Sequence, residues 1–171
     1  MPTSSPFEHL ESRFLAIVPP DFAEDLTLTE PTSEKDWEKY FDLRWRILRA
    51  PWKQPKGSER DDLEENAYHL TLKDRAGAPI AIGRLHLNCP KEAQVRFMAV
   101  EPAWQKRGLG SRILRQLEAE ARARRAQVVV LNARRGAQPF YARHGYSLVG
   151  PAPTLFDDIH HVRMQKVLID K

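Results

Sequence analysis

Two glycines and two basic residues stand together in the segment Gln105-Lys106-Arg107-Gly108-Leu109-Gly110-Ser111, between a predicted strand and a predicted helix. The start of a helix carries backbone N–H groups without partners and the positive end of the helix dipole. Glycine lets an anion approach these groups without meeting a Cβ atom, and Lys106 and Arg107 add positive charge. The spacing differs from the Gly-x-Gly-x-x-Gly pattern for dinucleotides and from the nucleoside triphosphate loop. The segment therefore predicts a site for a different phosphate-bearing ligand.

The elements that position this loop follow from the hydrophobic periodicity of the chain. Strands are predicted at Leu26–Glu30, Tyr68–Lys73, Pro79–Asn88, Gln94–Val100, Val128–Leu131, Tyr146–Val149 and His161–Leu168. Helices are predicted after Ser33, over Gly108–Arg125 and around Pro139–Arg143, and the acidic segment after the first helix is predicted as a loop or a short further helix. This order predicts a mixed fold of the α/β (α+β) class without internal repeats.

A second block of residues follows the glycine loop after about 30 residues, namely Asn132 and Pro139-Phe140-Tyr141-Ala142-Arg143-His144-Gly145-Tyr146. Taken alone, the two glycines could serve only a tight turn between strand and helix. Together with the preceding Val100-Glu101-Pro102 and with this block, the pattern Gln-x-x-Gly-x-Gly resembles the acetyl-CoA signature of the GNAT superfamily of N-acetyltransferases. The ligand that this resemblance implies is acetyl-CoA (coenzyme A).

The resemblance covers residues 26–168 and is nearest to ElaA-type proteins. The similar segments are Asp61-Asp62-Leu63, Phe140-Tyr141 and Ile159-His160-His161-Val162-Arg163-Met164. It implies the GNAT fold, a mixed and mostly antiparallel central sheet of roughly six or seven strands flanked by about four helices. It also implies transfer of an acetyl group to a primary amine, of a small molecule or a peptide, by direct attack on the thioester.

The same resemblance implies roles for individual residues. The implied cofactor-binding residues are Met98, Ala99, Val100, Gln105, Lys106, Arg107, Gly108, Leu109, Gly110, Ser111, Asn132 and Tyr141. The backbone of Met98–Val100 would bind the pantetheine arm, and the loop amides would bind the pyrophosphate. Tyr141 matches the tyrosine that often protonates the leaving thiolate in related enzymes, although it could also serve only in packing.

The general base is where the sequence departs from the family pattern. Some members carry a glutamate near the start of the fourth strand, and Gln94 stands at that place here. Glutamine cannot accept a proton, so Glu92, His86 and His161 remain as candidates, directly or through a water chain. His161 is favoured by the ElaA-like ending and is predicted as a catalytic residue, although a histidine in a final strand is more often structural.

An acidic segment from Glu59 to Glu65 follows the first predicted helix, in a region that borders the acceptor pocket in many members of this fold. Asp61 and Asp62 are therefore predicted to attract a cationic amine substrate. The alternative is an ordinary solvated loop.

Length and composition bear on the domain organisation, the metal content and the location of the protein. The 171 residues suffice for one domain, predicted at 26–171 after an extension at 1–25, and the net charge is +4. Phe7, Leu10, Phe14 and Ile17 have helical spacing, which favours packing of the extension against the domain or against a second copy in a homodimer. The lone Cys89 offers no internal disulfide or metal site, and no apolar stretch is long enough to span a bilayer. These features predict a cytoplasmic protein without a metal and without membrane contact.

Two other function classes compete with the enzyme. Ten Lys and Arg residues between Lys106 and Arg143, against two glutamates, could bind nucleic acid, but no nucleic-acid-binding motif accompanies them, and the acidic segment would repel a duplex. Gln94 instead favours a non-catalytic sensor of acyl-CoA. The enzyme is the preferred interpretation, with no nucleic-acid partner.

Overall fold

One seven-stranded sheet organises residues 25–168, the part of the chain that the computed structural model describes. The strands are β1 (Thr27–Thr29), β2 (Tyr68–Lys73), β3 (Pro79–Cys89), β4 (Glu92–Val100), β5 (Val128–Arg134), β6 (Ser147–Leu155) and β7 (Ile159–Val167). The α-helices of this part are α1 (Glu34–Leu48), α2 (Leu109–Ala123) and α3 (Gln138–Arg143). The sheet order is β1-β2-β3-β4-β5-β7-β6, and every neighbouring pair is antiparallel except β4 and β5.

The predicted fold class and central sheet are confirmed, with two differences in detail. First, the described residues hold three α-helices instead of about four, because the acidic segment forms only a short 3₁₀ turn at Glu64–Asn66. Second, the strand predicted at Tyr146–Val149 extends through two prolines to Leu155 as β6. Proline is tolerated there because β6 lies at the edge of the sheet. The helical spacing predicted for the extension lies outside the described residues, and no described helix is long and apolar enough to cross a membrane.

Helix α1 covers one face of the sheet. Its start is fixed by a capping box, in which the Ser33 hydroxyl accepts from the Asp36 N–H and the Asp36 carboxylate accepts from the Ser33 N–H. Its buried residues Tyr40, Phe41 and Leu43 pack with Ile82 of β3 and Ala99 of β4. Helix α1 therefore rests on the centre of the sheet, next to the strand that the glycine loop follows.

Helix α2 covers the opposite face and approaches β3 closely at Gly83. The buried side chains of α2 belong to the larger hydrophobic core and include Ile113, Leu114 and Leu117. A Cβ atom at Gly83 would lie 2.7 Å from Cγ2 of Ile113 and 2.9 Å from Cδ1 of Leu117. Only glycine fits at this crossing without a shift of the helix or its side chains.

The substitution Gly83→Ala is expected to destabilise the fold by about 1–3 kcal/mol, the usual cost of overpacking a well-packed core. The measurement is the free energy of unfolding from urea denaturation. Gly150→Ala is the matched control, because a Cβ atom at Gly150 meets nothing within 4 Å and that glycine lies in the edge strand β6. Equal unfolding free energies for the two variants would contradict the close packing of α2 on Gly83.

A bulge interrupts β4 at Phe97. Ile82 pairs with Ala99 and Arg84 pairs with Arg96, so that Phe97 and Met98 together face the single residue Gly83. Phe97 has a φ of 55°, an unusual conformation for a residue other than glycine. The extra residue reverses the alternation of side chains along the strand. Met98 consequently packs on the α2 side of the sheet, and Ala99 packs on the α1 side.

Candidate active site

A cleft of about 640 Å³ opens where the two parallel strands separate. The β4–β5 ladder holds only three residue pairs, from Glu92 opposite Val128 to Gln94 opposite Val130. Beyond Gln94, β4 stays paired with β3 on one side, and β5 stays paired with β7 as far as Arg134. The edge of β4 that faces the cleft therefore has backbone groups without a strand partner, which an extended ligand can use.

The glycine loop closes one end of this cleft. Lys106 and Gly108 have positive φ angles of 61° and 78°, and α2 begins directly after Gly108 without a side-chain cap. The first amides of α2 consequently have no side-chain partner of the capping type and are available to an anion. The side-chain amide of Gln105 donates to the Val100 carbonyl at 3.1 Å, which ties the loop to the end of β4.

The predicted cofactor-binding residues fall into two groups. Those that line the cleft are Met98, Ala99, Val100, Gln105, Gly110, Asn132 and Tyr141. Those of the loop and helix start that lie outside its lining are Lys106, Arg107, Gly108, Leu109 and Ser111. The Leu109 side chain is part of the core, and the Arg107 guanidinium lies 5.1 Å from the centre of the Trp104 ring. Leu109 can therefore offer a ligand only its backbone, whereas Arg107 has an exposed side chain beside the Trp104 ring.

Tyr141 lies on α3 and reaches across the cleft toward β4. Its hydroxyl donates to the Met98 sulfur at 3.6 Å, and its ring packs edge-on against Phe140 and Tyr146. Burial raises the pKa of Tyr141 to about 12, against the opposing effect of the nearby Arg134 guanidinium. The phenol is therefore protonated at neutral pH, and its O–H can donate a hydrogen bond.

His161 lies on β7 and lines the cleft beside Arg134, its direct partner across the β5–β7 ladder. Its Nδ1 atom lies 2.8 Å from the Ile159 carbonyl oxygen. Because a carbonyl only accepts, Nδ1 carries the hydrogen and Nε2 keeps its lone pair in the neutral ring. Burial lowers the pKa of His161, and nearby arginines lower it further, despite the hydrogen bond to the carbonyl. The imidazole is thus a neutral acceptor at physiological pH.

The other predicted bases lie outside the lining of the cleft. Glu92 accepts from Asn88 at 2.8 Å and forms an ion pair with Arg163 at 3.2 Å. His86 is a buried residue of β3, its Nε2 atom lies 3.0 Å from Oδ1 of Asn88, and burial lowers its pKa. Gln94 does line the cleft but cannot accept a proton as a base.

Asp61 and Asp62, predicted to attract the acceptor, do not line the cleft either. Both carboxylate oxygens of Asp61 accept from Arg84, at 2.6 and 2.9 Å, and one also pairs with Arg96 at 3.0 Å. Burial works to raise the pKa of Asp61, but the hydrogen bonds from Arg84 and from the Leu63 N–H outweigh it and hold the pKa at about 2. Asp62 is exposed to solvent. Asp61 therefore acts as a counter-ion inside the fold.

Sequence reasoning missed a group of arginines that surrounds the bulge residue. The guanidinium carbons of Arg44, Arg84, Arg96 and Arg49 lie 4.3, 4.8, 4.6 and 5.4 Å from the centre of the Phe97 ring. Arg44 and Arg84 are fully buried. The available signal was the place of these two arginines, one on the apolar face of α1 and one within the apolar strand β3, since a buried charge requires a partner.

Comparison with known proteins agrees with this geometry. The family described as an acetyltransferase (GNAT) domain matches residues 52–168. An uncharacterised N-acetyltransferase of Bacillus subtilis (strain 168), YjcF, is 27% identical over 134 residues, which cover 78% of this chain and 94% of the relative.

Two solved structures share the fold. Escherichia coli ElaA superposes with a TM-score of 0.67 at 16% identity, over 83% of this chain and 98% of that one. A GNAT family acetyltransferase from Elizabethkingia anophelis, solved with acetyl-CoA bound, superposes with a TM-score of 0.70 at 15% identity, over 85% and 99% of the two chains. The predicted resemblance is confirmed, since the family match spans more than half of the sequence: the chain belongs to the GNAT family and is an acyltransferase.

Proposed function

We propose that the protein transfers the acetyl group of acetyl-CoA to a primary amine, with both substrates in the cleft between β4 and β5. The observation that carries the proposal is the short parallel ladder, which ends after three residue pairs and leaves a cleft that leads to the uncapped start of α2. An extended arm with a diphosphate at its end fits these two features together. The Elizabethkingia relative, which has the same fold, was solved with acetyl-CoA bound.

The backbone of this chain supplies most of the proposed contacts with CoA. The free edge of β4 at Met98–Val100 would pair with the amides of the pantetheine arm, as a further strand would. The amides at the start of α2, together with Lys106 and Arg107, would bind the pyrophosphate. Asn132 lines the cleft from the β5 side and would contact the same arm.

Acetyl-CoA would supply an activated thioester. Residues of the cleft would accept the proton of the amine and stabilise the leaving sulfur. The Nε2 atom of His161 would accept a proton from the acceptor nitrogen as that nitrogen forms its bond to the acetyl carbon. The Tyr141 hydroxyl would donate a hydrogen bond to the sulfur as the carbon–sulfur bond breaks. The products are the amide, the CoA thiolate and a proton on His161, which passes to solvent.

The test combines binding with turnover on the full chain. Calorimetry should detect association of acetyl-CoA and CoA, and incubation with a panel of amines, amino acids and peptides should release free thiol. Binding without release from any amine would favour the acyl-CoA sensor. If neither acetyl-CoA nor CoA binds, the proposal is rejected, because the acetyl donor must occupy the cleft.

The substitution Gly110→Ala is expected to raise the dissociation constant of acetyl-CoA by about tenfold or more, a loss of about 1.4 kcal/mol. A Cβ atom at Gly110 would lie 3.5 Å from Cζ of Phe140, an ordinary contact, so the fold should persist. The added methyl group would stand at the helix start, where Gly110 lines the cleft. Calorimetry measures the effect, with Gly150→Ala as the control for a glycine in open space. An unchanged dissociation constant would place the pyrophosphate away from this amide.

A further inference from the structure

The cleft carries no carboxylate among its lining residues in the described part of the chain, although three arginines and a histidine line it. Arg49 follows the end of α1, Arg96 belongs to β4, and Arg134 ends β5. These three arginines are called the basic end of the cleft. Its charge bears directly on which amine the enzyme accepts.

Two acidic residues near the cleft, Glu64 and Asp61, already form ion pairs with arginines. Glu64 pairs with Arg44 and Arg84 at 2.8 and 2.9 Å, and Asp61 pairs with Arg84 and Arg96. Two carboxylates thus serve three guanidinium groups, two of them fully buried. Arg96 therefore shares the Asp61 carboxylate with Arg84, and neither Asp61 nor Glu64 forms an ion pair with Arg49 or Arg134.

Arg49 and Arg134 form no ion pair with any carboxylate of residues 25–168. Arg49 instead donates to the carbonyl oxygens of Ser58 and Leu48, at 3.0 and 2.9 Å. The Arg134 guanidinium lies 4.3 Å from the centre of the Trp52 ring, which orients it without neutralising it. Both groups are therefore held in place without an ion pair, although the charge of Glu59 offsets part of the positive charge of Arg49.

Partial burial makes this excess charge costly. Burial lowers the pKa of Arg49, and the proximity of Arg96 and Arg134 lowers it further, although a guanidinium remains charged at any physiological pH. Burial also lowers the pKa of Arg96 and of Arg134. An anion bound among the three would relieve both the repulsion and the loss of hydration. Guanidinium groups also match carboxylate and phosphate oxygens in a bidentate geometry.

We propose that the acceptor amine carries an anionic group, a carboxylate or a phosphate, close to its nitrogen, and that the basic end binds this group. The proposal rests on the proposed acetyl transfer and names the class of acceptor for the same site. Arg134 and the candidate base His161 are direct partners across the β5–β7 ladder, and such pairs have Cβ atoms about 5 Å apart. The anion and the amine are therefore separated by only a few bonds, as in an amino acid or an aminoalkyl phosphate. A polyamine, which has no anionic group, would be repelled.

The experiment compares acceptors that differ only in the anionic group. Amino acids are paired with their amides, and O-phosphoethanolamine is paired with ethanolamine, each with acetyl-CoA and detection of the released thiol. We expect kcat/KM for the better anionic member to exceed that of its neutral partner by about 10- to 100-fold, the range expected for a hydrogen bond to a charged group. The two kinds of pair distinguish a carboxylate site from a phosphate site.

The variant Arg134→Gln tests whether the basic end causes this preference. The ratio of kcat/KM between the anionic and neutral partners should fall by about tenfold or more, since the neutral partner makes no use of the charge. Taking the ratio removes any effect of Arg134 on Tyr141 or His161. Arg135→Gln is the matched control, because Arg135 is the exposed neighbour outside the lining of the cleft, and its ratio should equal that of the wild type.

The other possible results distinguish an error in the acceptor class from an error in the proposed acetyl transfer. Turnover that favours the neutral partners or spermidine would overturn the anionic acceptor while leaving acetyl transfer intact, whereas absence of turnover with every amine would reject acetyl transfer itself. A weaker affinity of Arg134→Gln for CoA with an unchanged ratio would assign the arginine to the cosubstrate. Succinyl-CoA that outperforms acetyl-CoA with a neutral amine would assign the basic end to the acyl group. Either of the last two results would overturn the proposal.

Discussion

Replacement of His161 by glutamine is expected to lower kcat by a factor of about 10² to 10⁴, the usual contribution of a positioned general base. The hydrogen bond from Nδ1 to the Ile159 carbonyl leaves Nε2 as the acceptor, and burial together with the neighbouring arginines lowers the pKa of the ring. The imidazole is therefore neutral when the amine attacks. Glutamine keeps a polar side chain of similar reach but cannot take up the proton.

The pH dependence gives the sharper readout. With wild-type protein, kcat/KM should rise with pH through the pKa of His161, below the ordinary value of about 6.5, because only the deprotonated ring is a base. Deprotonation of an acceptor amine with a pKa near 10 adds a separate rise at higher pH. In His161→Gln, the rise of kcat/KM at lower pH should disappear, and the rise at higher pH should remain.

The control for this substitution is the neighbouring residue. His160 is exposed and lies 3.3 Å from the Thr154 hydroxyl, outside the lining of the cleft. His160→Gln should keep both the rate and the lower rise. If His161→Gln also keeps them, His161 is not the base, and a water chain to another group must carry the proton.

The second large effect is expected from Tyr141→Phe, which should lower kcat about 10- to 100-fold and leave the dissociation constant of acetyl-CoA nearly unchanged. With a pKa of about 12, the phenol is a weaker acid than a thiol, whose pKa is about 8.5. Full proton transfer from the phenol to the thiolate would then be energetically unfavourable. The contribution that we expect from Tyr141 is a hydrogen bond to the developing negative charge on sulfur, worth about 1.5–3 kcal/mol.

Steady-state kinetics and calorimetry separate these effects. Tyr68→Phe is a suitable control, because Tyr68 lies on β2 beside Arg124, away from the lining of the cleft. A kcat of wild-type size in Tyr141→Phe would leave Tyr141 with a packing role only. A loss of acetyl-CoA affinity without a loss of kcat would make it a binding residue.

Much of the architecture could be predicted because local patterns and tertiary packing agree. The β2 prediction matches the observed strand from end to end, since alternating apolar residues and a following turn both define it. The start of α1 was readable from Ser33 and Asp36, whose reciprocal bonds depend only on residues three apart. The length of β6 was not readable, because its prolines and exposed residues satisfy no strand pattern and only the pairing with β7 makes it a strand.

The positive charge that lines the cleft was not predictable from local sequence. The acidic run around Asp61 predicts an attraction for a cationic substrate, and the structure shows that the Asp61 carboxylate forms ion pairs with Arg84 and Arg96, which lie far from it in sequence. Arg134 and Arg49 become neighbours only when β5 lies beside β4 and α1 lies over the sheet. Ion pairs between distant segments depend on the finished fold, and periodicity contains no information about them.

The bulge at Phe97 gives β4 two structural roles, because the strand contributes side chains to the core beneath α2 and also places an aromatic ring against the arginines. Before the bulge, Ala93 and Val95 pack in the core beneath α2. After the bulge, Met98 and Val100 pack against the same core. A strand with one residue fewer and regular alternation could not keep both features. It would lose either the apolar contacts of Met98 and Val100 with the core beneath α2 or the Phe97 ring against which the guanidinium groups pack. A change of length elsewhere in β4 is constrained more tightly than a substitution, because one residue more or fewer moves every following side chain of the strand to the opposite face of the sheet.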